Sequence, residues 1–403
     1  MSPTPRGPEP GTPAVDGPHV RAARLAAHHL RAPALGDVPG AVGHLLAVQG
    51  QELQPALWGL TRRLDPGARP GAAGARAACD DGAVLRTHVL RPTWHLVRPD
   101  DARWLLELSA PRVHRANGTM YRREGTEGHV RETEIVLDAV RDAPRSRREL
   151  ADVLAAHGRP LTGFALGYLL MRAELDRLLI SGPASGKQQT YAAFDDRVPA
   201  GYGPLGGSFD RDAALVELLR RYLAGRAYAS VKDVSQWSGF TLTDVRHALD
   251  LLGEQVVAVP GGGALDGLVL WRLADAGERV LAPEGVAGTP GVLDAADPCD
   301  PTVDLLQSYD ELLMSYGESR GVAVEPGVDL ADRLGSFIHA VAVDGRAAAR
   351  WRWVVGARDV AVETQWRRDP SAPELRALAA QAAEVATHWG LALRVPDGAD
   401  WVP

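Results

Sequence analysis

The sequence is short of cysteine, of long apolar runs and of metal-binding patterns, and each shortage excludes a class of protein. Two cysteines, Cys79 and Cys299, lie far apart in 403 residues. They predict neither a disulfide framework nor a zinc motif, and they fit the reducing cytoplasm, where we expect the protein to act. No apolar run approaches the roughly 18 residues of a membrane-spanning helix, so we expect no membrane contact.

Metal and nucleotide signatures are missing as well. The twelve histidines form no His-x-x-x-His pattern with a carboxylate at zinc spacing. No glycine-rich loop stands between a strand and a helix in the way that phosphate-cradling loops do. The sequence therefore predicts a protein without a metal or other cofactor.

The N-terminus, MSPTPRGPEPGTPAVDGP, is rich in proline and glycine and has no apolar stretch of the kind found in secretory signals. We interpret residues 1–18 as a disordered tail.

The formal net charge of −7 is unusual for a nucleic-acid-binding protein, but the charge is unevenly distributed. Residues 86–131 contain nine arginines and five acids, whereas residues 294–332 contain ten acids. A local basic surface is sufficient for contact with phosphates.

One order of elements occurs repeatedly along the chain. Residues 211–273 read as three amphipathic helices, the second capped by Ser230, followed by two β-rich runs around a glycine-rich loop. Three short helices followed by a β-hairpin are typical of a winged helix. The same order occurs upstream, where Ser146 and Glu149 form a capping box, and again near the start. We therefore predict three tandem winged-helix units over residues 19–130, 131–205 and 206–280.

The pattern changes in residues 281–403. Residues 337–366 alternate apolar and polar side chains around an Asp344-Gly345 turn, and a helix with a capping box follows from Ser371. This pattern predicts a small β-rich, barrel-like domain. The expected fold is thus α+β, with three tandem winged-helix units and a C-terminal β-barrel-like domain.

Four segments together resemble one known family: LLAVQGQELQPALWGLTRRL, RPTWHLVRPDDARWLLEL, RYLAGRAYASVKDVSQWSG and LLQSYDELLMSYGESR. They are similar, in content and order, to segments of the AlkZ/YcaQ-like alkylpurine DNA glycosylases, and the resemblance extends from about residue 20 to the end. It implies three winged helices and a β-barrel that form a C-shaped DNA-binding channel.

Gln49 and Gln51 match the catalytic Gln-x-Gln motif of that family. Gly50 stands where the family usually has an aliphatic residue, so the resemblance implies that Gly50→Ala is tolerated. Pro55 fits only the first turn of a helix, which predicts a helix start near Glu52. In an extended or turn segment before that helix, both amides can face one site. The alternative is that the amides only cap the helix or satisfy a loop.

The resemblance also implies a chemistry that suits amides. A purine alkylated at N7 is already a cation, so it leaves the sugar without receiving a proton. We expect Gln49 and Gln51 to position the attacking water jointly and to stabilise the oxocarbenium-like transition state.

Four cationic or titratable residues are predicted to contact DNA: Arg91 and His95 in the first hairpin, and Arg62 and Arg63 at the end of the helix after the glutamines. Alternatively, Arg91 and His95 only pack within the hairpin. The alternative for Arg62 and Arg63 is that they are solvated at the end of a helix, where positive charge is favourable in any case. Two further residues, His88 and Asp310, are predicted to be structural.

The expected function is a monofunctional DNA glycosylase that acts as a monomer on double-stranded DNA carrying bulky N7-alkylated purines, in antibiotic self-resistance or DNA repair. Two alternatives stay open: a winged-helix regulator without catalytic activity, and a protein that sequesters lesions. Conversion of N7-alkylguanine DNA to an abasic site would distinguish the enzyme from both.

Overall fold

The structure, a computed structural model, describes residues 7–186, 188–200, 205, 209–275, 300–331 and 337–394. It is a mixed α+β fold whose largest sheet curls into a half-barrel. Cys299 and the predicted boundaries at residues 206 and 280 lie outside the described residues.

Residues 7–123 are all described, and they form five α-helices and one three-stranded sheet. The helices are α1 (Gly17–Ala27), α2 (Val38–Leu45), α3 (Leu53–Thr61), α4 (Ala72–Asp80) and α5 (Pro99–Arg123). The strands are β1 (Val48–Gln49), β2 (Leu85–His88) and β3 (Trp94–Val97), in the order β1-β3-β2. Helix α3 begins where the sequence predicts, whereas α4 was not predicted.

The middle of the chain contains two similar arrangements of helices and strands. The first consists of α6 (Val130–Arg141), β4 (Arg145–Ser146), α7 (Arg147–Ala156), α8 (Gly163–Leu175), β5 (Leu179–Ser185), β6 (Gln188–Ala193) and α9 (Phe194–Arg197). The second consists of α10 (Arg211–Arg226), α11 (Val231–Ser238), α12 (Leu242–Leu252), β7 (Val256–Pro260) and β8 (Val269–Leu273).

These three sheets share one topology. In each of the first two, a short strand pairs with the second strand of the hairpin, β1 with β3 and β4 with β6. In the last, Ala229 takes the place of the short strand and exchanges two backbone hydrogen bonds with Trp271 of β8. The short strand leads directly into helices capped by Ser146 and Ser230 in the second and third cases. In the first case, residues 50–52 intervene before α3, and they include Gln51.

The C-terminal part builds a five-stranded sheet. Its elements are β9 (Val303–Leu306), α13 (Glu311–Met314), β10 (Ala340–Val343), β11 (Arg346–Val355), β12 (Asp359–Trp366), α14 (Ala372–Trp389) and β13 (Ala392–Leu393). The strand order is β13-β12-β11-β10-β9, so among the described residues the sheet has two open edges and does not close. One face packs against α14 through apolar side chains that include Val362 and Val385.

Tertiary contacts tie these parts together around β1. One apolar core joins Leu46, which precedes β1, with Leu219 of α10, Trp237 of α11 and Tyr316, which follows α13. Burial of apolar surface on this scale is the main favourable contribution to folding. Helix α3 is fastened to the C-terminal sheet, because Trp58 Nε1 donates to the carbonyl of Leu305 at 2.8 Å.

Residues 15–18, which the sequence analysis placed in the predicted tail, are held in the fold. Val15 N donates to the carbonyl of Pro260, and Gly262 N donates to the carbonyl of Val15, both at 2.9 Å. The side chain of Asp16 then caps α1 by accepting from His19 N. The predicted limit at residue 18 therefore lies inside α1.

Candidate functional site

The Gln-x-Gln segment is held as an extension of the first sheet. Gln49 is paired with His95 in the β1–β3 register, and Gly50 N donates to the carbonyl of Trp94 at 2.8 Å. Side chains two residues apart in extended backbone lie on the same side. Accordingly, the amide oxygens of both glutamines accept hydrogen bonds from the same turn, from Arg91 and from Trp94 N.

Gln49 is 3 % exposed, and a polar chain fixes the direction of its amide. Arg91 Nη2 donates to Gln49 Oε1 at 2.7 Å and lies 3.3 Å from His95 Nε2. Since a guanidinium nitrogen is always a donor, His95 Nε2 is an acceptor. His95 Nδ1 then carries the proton and donates to the carbonyl of Thr93 at 2.9 Å.

His95 is completely buried and neutral. Burial, followed by the charge of Arg91, lowers the pKa of His95 to about 3. The ring of His95 has no exposed surface and lies against Arg91, so the structure does not support the predicted contact between His95 and DNA, which stays a prediction. Arg91 in turn is engaged with Gln49 and, at 3.3 Å, with the carbonyl of Gln236, so any phosphate contact would add to these bonds.

Glu311, which the sequence analysis passed over, lies beneath the motif. Its Oε1 accepts from the backbone amide of Gln49 at 2.9 Å. Its Oε2 accepts from Arg226 Nη2 at 2.9 Å, from Trp237 Nε1 at 2.8 Å and from the Ser315 hydroxyl at 2.7 Å. One carboxylate thus joins β1 to α10, α11 and α13.

Glu311 carries a buried negative charge. Burial alone would raise the pKa of this carboxyl. The charge of Arg226, followed by the hydrogen bond from Ser315, outweighs burial, and the pKa lies below its ordinary value. The only sequence signal was its place beside Asp310 in the segment LLQSYDELLMSYGESR, which carries the resemblance.

Gln51 is the exposed member of the pair, and its backbone is fixed from the other side. Arg86 Nε donates to the carbonyl of Gly50 at 2.8 Å, and its Nη2 donates to the carbonyl of Gln51 at 2.9 Å. The same guanidinium stacks 4.1 Å from the ring centre of Trp94. These two hydrogen bonds, together with the one from Gly50 N to the carbonyl of Trp94, hold the backbone of the segment. The side-chain amide of Gln51 therefore projects from a rigid support.

Gly50 fits closely against the sheet. A Cβ at this position would lie 3.0 Å from Leu96 Cγ, which is shorter than an ordinary contact. The expectation that Gly50→Ala is tolerated is therefore not supported in this chain, because Leu96 fills the space that an aliphatic side chain would need.

A comparison with protein families identifies the family of this chain. The family model described as DNA glycosylase AlkZ-like matches residues 42–388. The chain belongs to the AlkZ-like DNA glycosylase family. It is therefore a DNA glycosylase, as the resemblance implied.

The AlkZ-like fold is also seen by structural comparison. The chain is similar to Streptomyces sahachiroi DNA glycosylase AlkZ, with a TM-score of 0.73 over 95 % of this chain and 100 % of that chain. Sequence identity is 21 %, so this likeness shows the fold alone. Among curated proteins, none matches the sequence.

Two arginines predicted to contact DNA in this AlkZ-like chain are engaged internally. Arg63 is 2 % exposed and forms a two-pronged ion pair with Asp310, with distances of 2.7 and 3.1 Å. The structure does not support the predicted DNA contact of Arg63, which stays a prediction, because a buried and neutralised guanidinium offers DNA no surface here. Asp310 is the structural acceptor that the sequence predicted. Arg62 pairs with Glu384 of α14 and lies over the ring of Trp58, which leaves little of it exposed.

The other structural prediction in the AlkZ-like site concerned His88, and it is confirmed. His88 Nδ1 is hydrogen-bonded to Glu174 of α8, and its ring lies 4.8 Å from that of Trp94. In the part of the chain that the structure describes, no three His, Cys, Asp or Glu side chains gather into a metal site. Nor is any described helix long and apolar enough to cross a membrane.

Proposed function

We propose that the protein is a monofunctional DNA glycosylase that hydrolyses the N-glycosidic bond of bulky N7-alkylated purines in double-stranded DNA. One observation carries this substrate class. Of the described titratable side chains that are hydrogen-bonded to the two glutamines or to Arg91, none is a protonated acid near neutral pH: Arg91 is a cation, His95 is neutral and Glu311 is ionised. A site without a general acid suits a leaving group that is already cationic.

The two glutamines then have distinguishable tasks. Gln51, which is exposed and held by Arg86, presents an amide oxygen that can hold the attacking water. Gln49 is buried, so it acts through the dipole of its amide rather than by direct contact: its oxygen, which has a second lone pair beyond the one used by Arg91, stabilises positive charge on the sugar. The negative charge of Glu311 offsets that of Arg91, which would otherwise oppose a sugar cation.

We also infer three tandem winged-helix units that together form a C-shaped DNA-binding channel. The recurring order of helices and hairpins, and the short strand that pairs with the second hairpin strand each time, support this division. The channel would act as a monomer in the cytoplasm, and the role would be antibiotic self-resistance or DNA repair.

The test is single-turnover excision from a duplex oligonucleotide that contains N7-methylguanine or a bulkier N7 adduct. We expect an abasic site to form without added cofactor and in the presence of EDTA. Gln49→Ala and Gln51→Ala should each slow excision by about 10² to 10³. The double variant should be slowed by less than the product, because both groups act on one step.

Gln54→Ala is the matched control, since Gln54 lies in the first turn of α3 and its amide oxygen is buried without a partner among the described residues. Its excision rate should equal that of the wild type. Gln51→Glu should keep partial activity, because a carboxylate can also hold water and face the sugar cation. If the protein binds the modified DNA tightly but leaves the adduct in place, the proposed activity is refuted, and a protein that sequesters lesions is favoured. Wild-type rates in both single alanine variants would assign the glutamines to helix capping.

A further inference from the structure

A basic groove lies beside the Gln-x-Gln segment, between the first hairpin and the helices of the middle part. Its volume is about 480 Å³. It is lined by Arg86 and Trp94 from the first hairpin, Arg147 and Arg148 from α7, and Gln189 from β6, among others. None of the described residues that line it is acidic. The charge of Glu174 acts on Arg86, but no carboxylate is among the described residues that line the groove beside its three arginines, which makes the groove a site for an anion.

We propose that this groove binds the phosphodiester backbone of the DNA strand next to the catalytic motif. The inference rests on the proposed function, since it assigns a place to part of the same substrate. It concerns a surface that none of the predicted DNA contacts occupies.

The first support is the position of the two exposed arginines. Arg147 donates to the carbonyl of Gly163 and lies 3.2 Å from where a Cβ of Gly167 would be, so it extends along the start of α8. Arg148 makes no ion pair with any described residue. The side chain of Thr162 makes no capping bond in the described structure, which leaves the first amides of α8 for an acceptor. Helix N-termini and arginines together favour phosphate.

The second support is a pair of donors that have no partner. Trp94 Nε1 and Gln189 Nε2 are both buried and make no hydrogen bond to any described residue. Both belong to side chains that line the groove. A buried N–H group without an acceptor is costly, and a rotation of either side chain on binding would bring its N–H to an oxygen atom in the groove.

The third support is the connection to the motif. Arg86, which lines the groove, donates to the carbonyls of Gly50 and Gln51 and also to the side chain of Gln189. A phosphate in the groove therefore lies against the same side chain that fixes the catalytic segment. Phe164, in the first turn of α8, is 71 % exposed. An exposed ring beside arginines is typical of nucleic-acid surfaces, where bases stack on aromatic side chains, and a small free anion would not require it.

The experiment compares Arg148→Ala with Arg141→Ala in the full chain. Arg141 lies on α6, is exposed and is paired with Asp138, so both changes remove one surface charge, but only Arg148 lines the groove. Binding to a duplex oligonucleotide is measured by fluorescence anisotropy between about 50 and about 200 mM salt. Arg148→Ala should lower the slope of log affinity against log salt by about 1 and weaken binding about tenfold at the low-salt end. Arg141→Ala should leave the slope unchanged.

With enzyme below saturation, Arg148→Ala should excise the base more slowly than the wild type, in proportion to its weaker binding, because Arg148 holds the substrate. A slope in Arg148→Ala equal to that in Arg141→Ala would overturn the proposal. So would an effect of Arg148→Ala on binding of a poly-glutamate peptide but none on DNA, since the groove would then recognise acidic protein. If the wild type binds DNA but releases no base, the glycosylase proposal fails while the salt slopes still decide the role of the groove.

Discussion

Replacing Gly50 by alanine should destabilise the fold, because Leu96 occupies the space beside it. The new Cβ would lie 3.0 Å from Leu96 Cγ, 3.4 Å from its Cδ2 and 3.6 Å from its backbone nitrogen. Leu96 is completely buried and is paired with Val48 in the sheet, so its backbone cannot retreat without disturbing β1. Overpacking of a close-packed core costs about 1–3 kcal/mol of the free energy of unfolding.

The same substitution should slow excision to a smaller extent than loss of either glutamine. A shift of a few tenths of an ångström at Gly50 moves its carbonyl away from Arg86 and carries Gln51 with it. Since misplacement of about 1 Å can cost about 10² in rate, we expect a loss of about tenfold or less.

A double-mutant cycle with Leu96→Ala isolates the contact. Leu96→Ala alone should cost about 2–5 kcal/mol, because it leaves a cavity in the core. In the double variant the new methyl group no longer meets Leu96 Cγ, so the cost should be smaller than the sum by about 1–3 kcal/mol. Urea unfolding measures all four proteins. If the free energy of unfolding of Gly50→Ala is within about 0.5 kcal/mol of that of the wild type, the reasoning is refuted. Leu96 would then move enough to accept the methyl group, as the resemblance implies.

Two further substitutions test the buried polar groups around the motif. Glu311→Gln should destabilise by about 3–5 kcal/mol, because it leaves Arg226 buried without its counter-charge. The control, Glu217→Gln, breaks a partly exposed pair with Arg220 and should cost at most about 1 kcal/mol; equal urea midpoints for the two would contradict the role of Glu311. His95 has a pKa of about 3 when folded and about 6.5 when unfolded, so the unfolded chain takes up a proton first as the pH falls. Stability from the neutral ring is complete above about pH 6.5 and decreases below it, by about 2 kcal/mol near pH 5. Between about pH 7 and about pH 5, the free energy of unfolding should therefore fall less in His95→Gln than in the wild type. An equal fall in both proteins would assign the acid sensitivity to other buried histidines.

Local features of the fold could be predicted from the sequence, because they depend on neighbouring residues. The predicted capping boxes at Ser146 and Ser371 and the predicted N-cap at Ser230 begin helices in the structure, and Pro55 lies in the first turn of α3. Each of these signals is complete within a few residues of chain. Helix α4 was missed because its segment, AAGARAACD, is mostly alanine and contains no large apolar side chain to mark the face that it buries.

The motif and its neighbourhood were determined by the sequence only in part. The resemblance identified Gln49 and Gln51, but it could not show which atoms hold them. Arg91 reaches Gln49 across 42 residues of chain, and Glu311 reaches it across 262. Such contacts depend on how separate elements pack, and one sequence contains no record of that packing.

The positions of the arginines likewise depend on tertiary packing and could not be predicted from the sequence. Arg63 ends a helix, and from the sequence a solvated or DNA-facing side chain was the reasonable expectation. Tertiary structure instead buries it against Asp310, 247 residues away, where two hydrogen bonds compensate for the loss of water. Arg148, which no pattern in the sequence singled out, stays exposed and lines the basic groove. Residue types and their local order determined the helices, their caps and the identity of the two amides that we propose to be catalytic. Only tertiary packing decided which charges are neutralised inside the protein and which stay exposed, because neutralisation requires a partner brought in from a distant part of the chain.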